Sequence, residues 1–588
     1  MSALRPWLPP VFALALLVAP FLGLPSYWIT LLDYIGIASL VTLGLVLLTG
    51  VGGMTSFGQA AFVGFGAYTS AVVTLSFGLS PWLTLPISLF VTGVGALLIG
   101  AVTVRLSGHY VPLGTIAWGI SFFYLFGNTP WLGAHDGLSG IPPVRVGTYA
   151  LTDPRDYFVL VWLAVVIAIV VTRNLLSSRV GRSIRVLRRG TLVAQTFGID
   201  AARTKLLVFV YAAVLAGLAG WLYAHLQRSV SPGAFGLAAG SEYLLMAVAG
   251  GAGRLWGALL GAAGVTILRD QLQNIMPLLV GTTGNYETIV FGAILVVILQ
   301  FSPDGLWPLI AGPPSPPKVP AVKNVTAVPP REEPAPGSAL LDVTAIRKTF
   351  GGLVAVDDVT FSTTSGKILG LIGPNGAGKS TTFNLLTGVL PFDAGDVRFR
   401  GEPLAHIDLR TIASRGIART FQHVKLVENM SVIENVALGA HVRGHAGVFR
   451  ALLHLERDEE GRIFAEARRQ LARVGLEAEA MRPCGSLALG QLRLVEIARA
   501  LCADPVLLLL DEPAAGLRLA EKKALARLLR ELRAGGVTVL LVEHDMDFVM
   551  NVADQLVVLD FGVKISEGAP QTVRRDPKVL EAYLGGVA

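Results

Sequence analysis

Nine consecutive residues, Gly373-Pro374-Asn375-Gly376-Ala377-Gly378-Lys379-Ser380-Thr381, carry the most specific chemistry in this 588-residue chain. The spacing G-x-x-x-x-G-K-S lets backbone N–H groups face phosphates at the start of a helix. Its lysine reaches β/γ oxygens and its serine hydroxyl holds Mg²⁺. A buried-strand run, Lys367–Ile372, precedes the loop and a helical stretch follows it, which is the context the pattern requires. A second strand, Val506–Leu510, runs into Asp511-Glu512. An acid at such a strand end, beside a phosphate loop, holds Mg²⁺, and its neighbour can polarise an attacking water as general base. Acid pairs after strands also cap helices. The adjacent phosphate loop tips the reading toward metal and base, and the expected chemistry is hydrolysis of ATP.

The elements that must position these residues occupy only the second half of the chain. From about residue 339 to 588, short apolar strands alternate with helical stretches, as in an α/β nucleotide-binding domain; between about 430 and 485 the pattern becomes a charged, amphipathic helical insertion. Residues 311–338 contain nine prolines and no apolar periodicity. Such a stretch is a largely polyproline-II tether, reaching up to roughly 85 Å at about 3.1 Å per residue. The sequon Asn324-Val325-Thr326 carries no meaning on a cytosolic tether.

The first half is a different material. Residues 1–310 hold 24 charged side chains and residues 311–588 hold 65, within a chain that is 53% hydrophobic and 15% charged. That excludes intrinsic disorder, a secreted disulfide scaffold and an ordinary soluble enzyme. The net charge of +7 sits mostly in the apolar half, so it concerns orientation in a bilayer and not nucleic acid. The two cysteines, Cys484 and Cys502, offer neither a disulfide nor a zinc framework, which suits a reducing cytoplasm. Apolar runs near membrane-spanning length lie around 7–24, 28–50, 56–78, 82–104, 111–131, 157–172, 206–226, 244–268 and 286–309. The first reads as a membrane helix in preference to a cleaved signal peptide, because further apolar runs follow at once. The segment Arg173–Lys205 has eight Lys/Arg and a single acid, Asp200, and belongs on the cytoplasmic side.

Only an even number of crossings joins that inside loop to an inside ATP domain, yet three apolar stretches intervene. One must be broken or an extra short segment exists. Gly250-Gly251-Ala252-Gly253-Arg254 and the Ile275–Val280 patch are the candidates. The expected fold class is therefore two-part: a polytopic α-helical membrane domain of about 8–10 spans, then an α/β P-loop ATPase domain with a helical subdomain. The domains run 1–310, 311–338 (linker) and 339–588.

The soluble half resembles the ATPase subunit of ABC transporters and matches most of that family's motifs in order. By this resemblance Phe350 stacks on adenine, and Gln422, in Thr420-Phe421-Gln422-His423, senses Mg²⁺ and contacts the transmembrane subunits. Leu487-Ala488-Leu489-Gly490-Gln491 looks like the signature loop that closes on the partner's ATP, and His544 like the switch histidine at the γ-phosphate. A lone histidine after a strand is commonly structural; its spacing after Glu512 singles this one out. The implied Mg²⁺ ligands are Ser380, Gln422 and Asp511. Two positions depart from the family: Ala488 replaces a serine, removing one hydroxyl contact worth about 1 kcal/mol, and Arg518 follows the dimer-contact loop Ala515-Gly516-Leu517 in place of an aspartate. Both departures, the texts around Gln422 and His544, and the tail Ala582-Tyr583-Leu584-Gly585 resemble the amino-acid-importer branch.

In the membrane half, Ser56-Phe57-Gly58-Gln59-Ala60-Ala61-Phe62 with Gly64, Gly66, Ala67 and Tyr68 resembles the permease subunit of branched-chain amino-acid importers. Close helix packing alone also explains the small residues, though not the whole string. Gly137-Leu138-Ser139-Gly140-Ile141 and the Gly250–Gly253 break match the same family, with Arg254 and Ala258 departing from it. The loop from Gly181 to Asp200 corresponds to the cytoplasmic coupling helix that docks on the ATPase. Arg189-Gly190 stands where the family often carries acids, so its docking partner is open. Membrane-embedded acids are functional suspects, and Asp33, Glu242 and Glu287 qualify; their places near helix ends favour the interface over a substrate path.

The resemblance implies a bacterial inner-membrane importer subunit with permease and ATPase in one chain, binding ATP and Mg²⁺. It implies a second permease subunit, a second ABC ATPase subunit and a periplasmic substrate-binding protein as partners. Branched-chain amino acids are the first expectation for the substrate. Urea, short amides or aromatic acids on the same scaffold are the alternative, with an exporter or an ATP-regulated sensor or channel behind them. No polar cluster in the sequence names the substrate.

Overall fold

The computed structural model describes residues 23–584 apart from Ser107, 281–286, Pro303, 312–327 and His406. Nearly all of the expected first membrane helix at 7–24, most of the proline tether and Gly585 fall outside the described residues. The helices of the first half are α1 (Ser26–Leu45, continued by a wider turn through Val51), α2 (Gln59–Phe77), α3 (Pro81–Thr103), α4 (Tyr110–Asn128) and α5 (Pro154–Ser177). After α6 (Arg179–Leu187) and α7 (Thr191–Thr196) come α8 (Ala201–Gln227), α9 (Leu237–Gly251), α10 (Leu255–Val280), α11 (Glu287–Phe301) and α12 (Trp307–Ala311). Contacts divide the chain into two compact units, one of residues 1–176 and 202–315, the other of residues 177–201 and 316–588. Helices α6 and α7 thus pack with the second unit, although they lie in the first half of the sequence.

In the first unit, six described helices are long and apolar enough to cross a membrane: α1 to α5 and α8. Helices α3 to α5 turn large apolar side chains outward, Phe90 71%, Leu98 69% and Leu163 55% exposed, as lipid-facing surfaces do. The Gly-rich string opens α2, where its small residues serve packing: a Cβ on Gly66 would stand 2.1 Å from the carbonyl oxygen of Gly217 in α8. The 244–268 stretch is not one span. It breaks at Ala252–Arg254, the first of the two places that parity pointed to, and α9 and α10 fold back on each other; Ile275–Val280 simply continues α10. The last stretch likewise divides into α11 and the short α12. At 1.5 Å per residue, the 15 residues of α9 or α11 rise only about 22 Å.

Of the embedded acids, Asp33 sits fully buried inside the helix packing, with no hydrogen-bond partner for either carboxylate oxygen among the described residues. It lies within the early turns of α1, near the helix end as the sequence places it. Glu242 in α9 pairs with Arg269 of α10 at 3.0 Å. Glu287 opens α11, but its side chain lies outside the described set.

The second unit contains β1 (Ala339–Phe350), β2 (Leu353–Thr364), β3 (Ile368–Ile372), β4 (Ala394–Phe399), β5 (Glu402–Pro403), β6 (Ile417–Arg419), β7 (Leu507–Asp511), β8 (Thr538–Val542), β9 (Gln555–Asp560) and β10 (Val563–Gly568). One sheet runs β6-β7-β8-β3-β9-β10, parallel except for the β9/β10 hairpin; a second, antiparallel sheet runs β2-β1-β4-β5. Strands β3, β7 and β8 are buried at every residue, which is why they read as unbroken apolar runs.

The helices of this unit are α13 (Lys379–Leu386), α14 (Leu409–Ser414), α15 (Val432–Ala437), α16 (Val448–Leu452), α17 (Arg457–Arg473), α18 (Leu489–Cys502), α19 (Leu519–Ala534), α20 (Met546–Val552), α21 (Pro570–Val573) and α22 (Pro577–Leu584). Helices α15, α17 and α18 share a separate apolar core that includes both buried cysteines. Helix α18 divides its buried side chains between this core and that of the parallel sheet, joining the helical insertion to the strands. The tether is not free along its whole length: Arg443 donates to the carbonyls of Val328 and Pro329 at 3.0 and 2.8 Å, and the Arg331 amide bonds Asp504.

Candidate nucleotide site and docking face

Strand β3 delivers the chain into the phosphate loop between β8 and β9. Gly378 turns that loop into α13 at φ +91°, and a Cβ there would meet the carbonyl oxygen of Ala355 at 2.4 Å, so the position requires glycine. Lys379 Nζ donates to the carbonyls of Gly373 and Pro374, both at 2.7 Å. Burial lowers its pKa, while the carboxylates of Glu512 and Asp511 pull it upward. Asn375, Gly376 and Ser380 are exposed.

Asp511 ends β7 with its Oδ1 buried and, among the described residues, without a hydrogen-bond partner. Burial raises its pKa, against the pull of Arg419. Arg419 stacks between Phe383 and Phe421, 4.8 and 5.0 Å from their ring centroids, and donates to Asn384 Oδ1 and Thr387 Oγ1. Burial pushes its guanidinium down to about 10. Glu512 has φ +46°, a left-handed conformation that costs a non-glycine residue about 1–3 kcal/mol and is found preferentially at active sites. Its amide donates to Val542 O at 2.9 Å, holding the strained turn against the end of β8.

His544 follows β8 with a side chain 59% exposed and Nδ1 4.0 Å from Glu512 Oε2. Lys379, Asp511, Glu512 and His544 therefore stand just past the carboxyl ends of β3, β7 and β8, where parallel sheets bind ligands.

The remaining expected residues make their contacts elsewhere. Phe350 ends β1, 45% exposed, with Lys348 Nζ 5.6 Å from its ring. Gln422 is exposed and its carbonyl accepts from Arg493 at 2.6 Å. In the segment Leu487–Gln491, the Ala488 amide donates to Gln491 Oε1 at 3.2 Å and Leu489 is 53% exposed. Gly490 lies against α19, where a Cβ would stand 2.6 Å from Glu521 Oε1. Three residues were not singled out from the sequence: Arg419, Glu543, and Tyr583, whose hydroxyl bonds the Gly373 backbone. Arg419 and Glu543 adjoin quoted motifs, but nothing in the string of letters reveals that they are buried.

A second set of charges lies where α6 and α7 pack on the helical subdomain, within the same compact unit. Arg182 is buried and forks onto Glu460 of α17 at 2.6 and 3.1 Å, with Phe464 beneath it at 4.9 Å. The Arg179 guanidinium donates to the carbonyls of His441, Gly444 and Ala446, and its amide to Glu460 Oε1. Arg185 pairs with Glu434 at 2.9 Å, Arg189 with Glu428 at 2.5 Å and Asp200 with Arg410 at 2.7 Å. Burial works against the Glu434 charge, yet Arg185 and Ser431 together hold its carboxyl below the ordinary value. Between these pairs, Val186, Val193 and Phe197 share an apolar cluster with Phe421, Met430 and Leu438. The partner that the sequence left open is thus a set of subdomain glutamates.

Residues 26–299 match the family of branched-chain amino acid transport system permease components, residues 356–515 the ABC transporter family, and residues 563–588 the branched-chain amino acid ATP-binding cassette transporter family. The high-affinity branched-chain amino acid transport ATP-binding protein LivG of Escherichia coli (strain K12) is 41% identical over 249 residues, 42% of this chain and 98% of LivG. The chain belongs to the branched-chain amino-acid ABC transporter family. BraF of Pseudomonas aeruginosa, described in the same words as LivG, is 39% identical over 251 residues, 42% of this chain and 98% of BraF. A solved ATP-binding cassette of an ABC transporter in its ADP conformation is 35% identical and covers 42% of this chain and 100% of that one, with a TM-score of 0.38. The chain is an ABC-type ATPase with its permease fused to the N-terminal side, a multi-pass component of an ATP-driven importer.

Proposed function

We propose that this ABC transporter chain imports branched-chain amino acids across the bacterial inner membrane by alternating access. It would do so with a second permease subunit, a second ABC ATPase subunit and a periplasmic substrate-binding protein. The observation that carries the catalytic reading is the convergence of Lys379, Asp511, Glu512 and His544 at three adjacent strand ends, with Glu512 in a strained conformation. Backbone amides of Gly373–Thr381 and Lys379 would cradle the phosphates of ATP. Glu512 takes the proton of the attacking water, and His544 donates a hydrogen bond to the γ-phosphate. Phe350 would stack on adenine, and Leu487–Gln491 would close on the ATP held by the partner ATPase.

Asp511 Oδ1, buried and without a partner among the described residues, and the exposed Ser380 hydroxyl suit a Mg²⁺ ion, which they would hold together with Gln422. When bound, the ion would neutralise negative charge on the phosphates of ATP. Coupling needs the two conformations to bind nucleotide differently. The stretch 419–422 supports a route: Phe421 belongs to the docking cluster, while Thr420 Oγ1 accepts the Asp511 amide at 3.2 Å.

The test is ATP turnover by the assembled complex in proteoliposomes, titrated with binding protein loaded with leucine, isoleucine, valine, urea or aromatic acids. Stimulation by the branched-chain forms, abolished by Glu512→Gln, is the expected result. Stimulation by urea or aromatic acids alone would transfer the reading to that substrate class. Stimulation only by a compound on the ATP side would overturn import.

A further inference from the structure

Glu543 is a carboxylate with no exposed surface, placed at the end of β8 between two loops of the nucleotide site. Its Oε1 accepts the Ala514 amide at 2.7 Å, and its Oε2 accepts the His544 amide at 3.2 Å. Ala514 lies two residues past Glu512, and His544 is the next residue in the chain. One side chain therefore ties the turn that carries the proposed general base to the turn that carries the proposed γ-phosphate contact. His544 Nδ1 stands 4.0 Å from Glu512 Oε2 and 3.8 Å from Glu543 Oε2.

The choice of side chain is informative. A buried carboxylate is costly to desolvate, and burial does push Glu543 upward, opposed by the amides it accepts. A glutamine would offer only one acceptor oxygen and would turn its NH₂ toward the second amide, donor against donor. A shorter acid would not span both loops. An acceptor-only group of this length, satisfied by backbone amides from both loops, is what a fixed spacer between them requires.

We propose that Glu543 is a positioning residue for ATP hydrolysis, holding the Glu512 turn and the His544 turn at a fixed separation through the Ala514 and His544 amides. With no exposed surface, it would act through those amides and not by contact with nucleotide. The inference rests on the roles assigned above to Glu512 and His544.

The experiment compares Glu543→Gln, Glu543→Asp, His544→Ala, the Glu543→Gln/His544→Ala double variant and Glu512→Gln in the full chain, reconstituted with its companion subunits in proteoliposomes. ATP turnover, nucleotide affinity and Tm are measured for each. Glu543→Gln is expected to lower kcat by at least about tenfold, since displacements near 1 Å can cost about a hundredfold. ATP affinity should stay within about threefold, because the phosphate loop is untouched. Glu543→Asp keeps the charge but loses the reach, and its kcat should fall too. The double variant should fall short of the product of the two single effects, because part of the Glu543 effect passes through the His544 side chain and the rest through the Glu512 turn that the Ala514 amide still ties; independent sites would multiply.

Unchanged kcat in Glu543→Gln or Glu543→Asp overturns the proposal, as does multiplication of the two single effects. A kcat loss that merely tracks a fall in Tm and in nucleotide affinity also overturns it, leaving a structural role. If Glu512→Gln retains full turnover, the underlying assignment fails instead, whatever Glu543 does.

Discussion

The docking face and the nucleotide face sit in one compact unit and treat charge in opposite ways. On the docking face, Arg182 and Glu460 are nearly solvent-free and satisfy each other with two hydrogen bonds, and every further arginine named there has a carboxylate or carbonyl partner. On the nucleotide face, Asp511 is buried with one oxygen that has no partner among the described residues, Glu512 is strained, and His544 is largely exposed. A surface whose charges are already spent serves attachment. A surface whose charges are held unspent, at a cost in stability, serves a ligand that arrives later.

The largest effect that tests this contrast is on turnover. Glu512→Gln should lower ATP hydrolysis about 10²–10⁴-fold, the range for loss of a general base, while ATP binding and Tm persist. Loss of ATP binding in that variant would break the contrast, because Glu512 would then be serving attachment too. On the other face, Glu460→Ala strands Arg182 and should destabilise the docked unit by about 3–5 kcal/mol, read as a lower Tm and as transport uncoupled from ATP hydrolysis. A double replacement, Arg182→Met with Glu460→Met, should recover most of that loss, since packed apolar side chains substitute well for a buried ion pair.

How much of this was legible in the sequence follows the same division. The phosphate loop, Asp511-Glu512 and His544 are local strings, so their placement just after buried strands could be read directly. The two-part architecture could be read too, because apolar and charged residues separate cleanly near residue 310. The docking glutamates could not. Glu428, Glu434 and Glu460 lie more than 200 residues from the arginines they meet, and nothing in the insertion's charge pattern distinguishes them from solvated neighbours. The same limit hid Glu543, whose burial is a property of the sheet. The break at Ala252–Arg254 was readable as one of two options because topology demanded it; choosing between them needed the close contacts of α9 with α10.

A smaller effect sharpens the claim that nucleotide-face charges cost stability. Burial outweighs Arg419 and leaves the Asp511 pKa raised, so ionising Asp511 works against the fold once pH passes the value of the unfolded chain. Asp511→Asn removes that penalty. Calorimetry without nucleotide or Mg²⁺ should show a higher Tm than that of the parent chain, while turnover is lost. A fall in Tm would mean that Asp511 is spent on holding Arg419 and is no free ligand.

On the docking face the pH dependence has the opposite sign. Arg185 and Ser431 hold Glu434 below its ordinary value, so its contribution is present above the unfolded carboxylate pKa and is lost as pH falls through the depressed folded value. Docking stability, followed by thermal melts from pH 7 downward, should therefore hold until pH enters the ordinary carboxylate range and decline from there downward. Glu434→Gln should flatten that decline.

The least costly change on the docking face is Arg189→Ala, and it is the one that separates burial from mere pairing. Arg189 and Glu428 form a short contact, yet their side chains are 35% and 66% exposed, against 2% and 6% for Arg182 and Glu460. Water competes for both groups of an exposed pair, and holding two long side chains in one geometry opposes the remaining attraction. Arg189→Ala should therefore cost about 0.2–1 kcal/mol, and the cost should vanish by about 1 M salt, where the screening length falls to about 3 Å. The Glu460→Ala penalty should persist in the same salt series, because a buried pair is screened far less. Equal salt sensitivity for the two variants would show that the arginines act together as a diffuse positive surface, and that burial is not what sets the docking face apart.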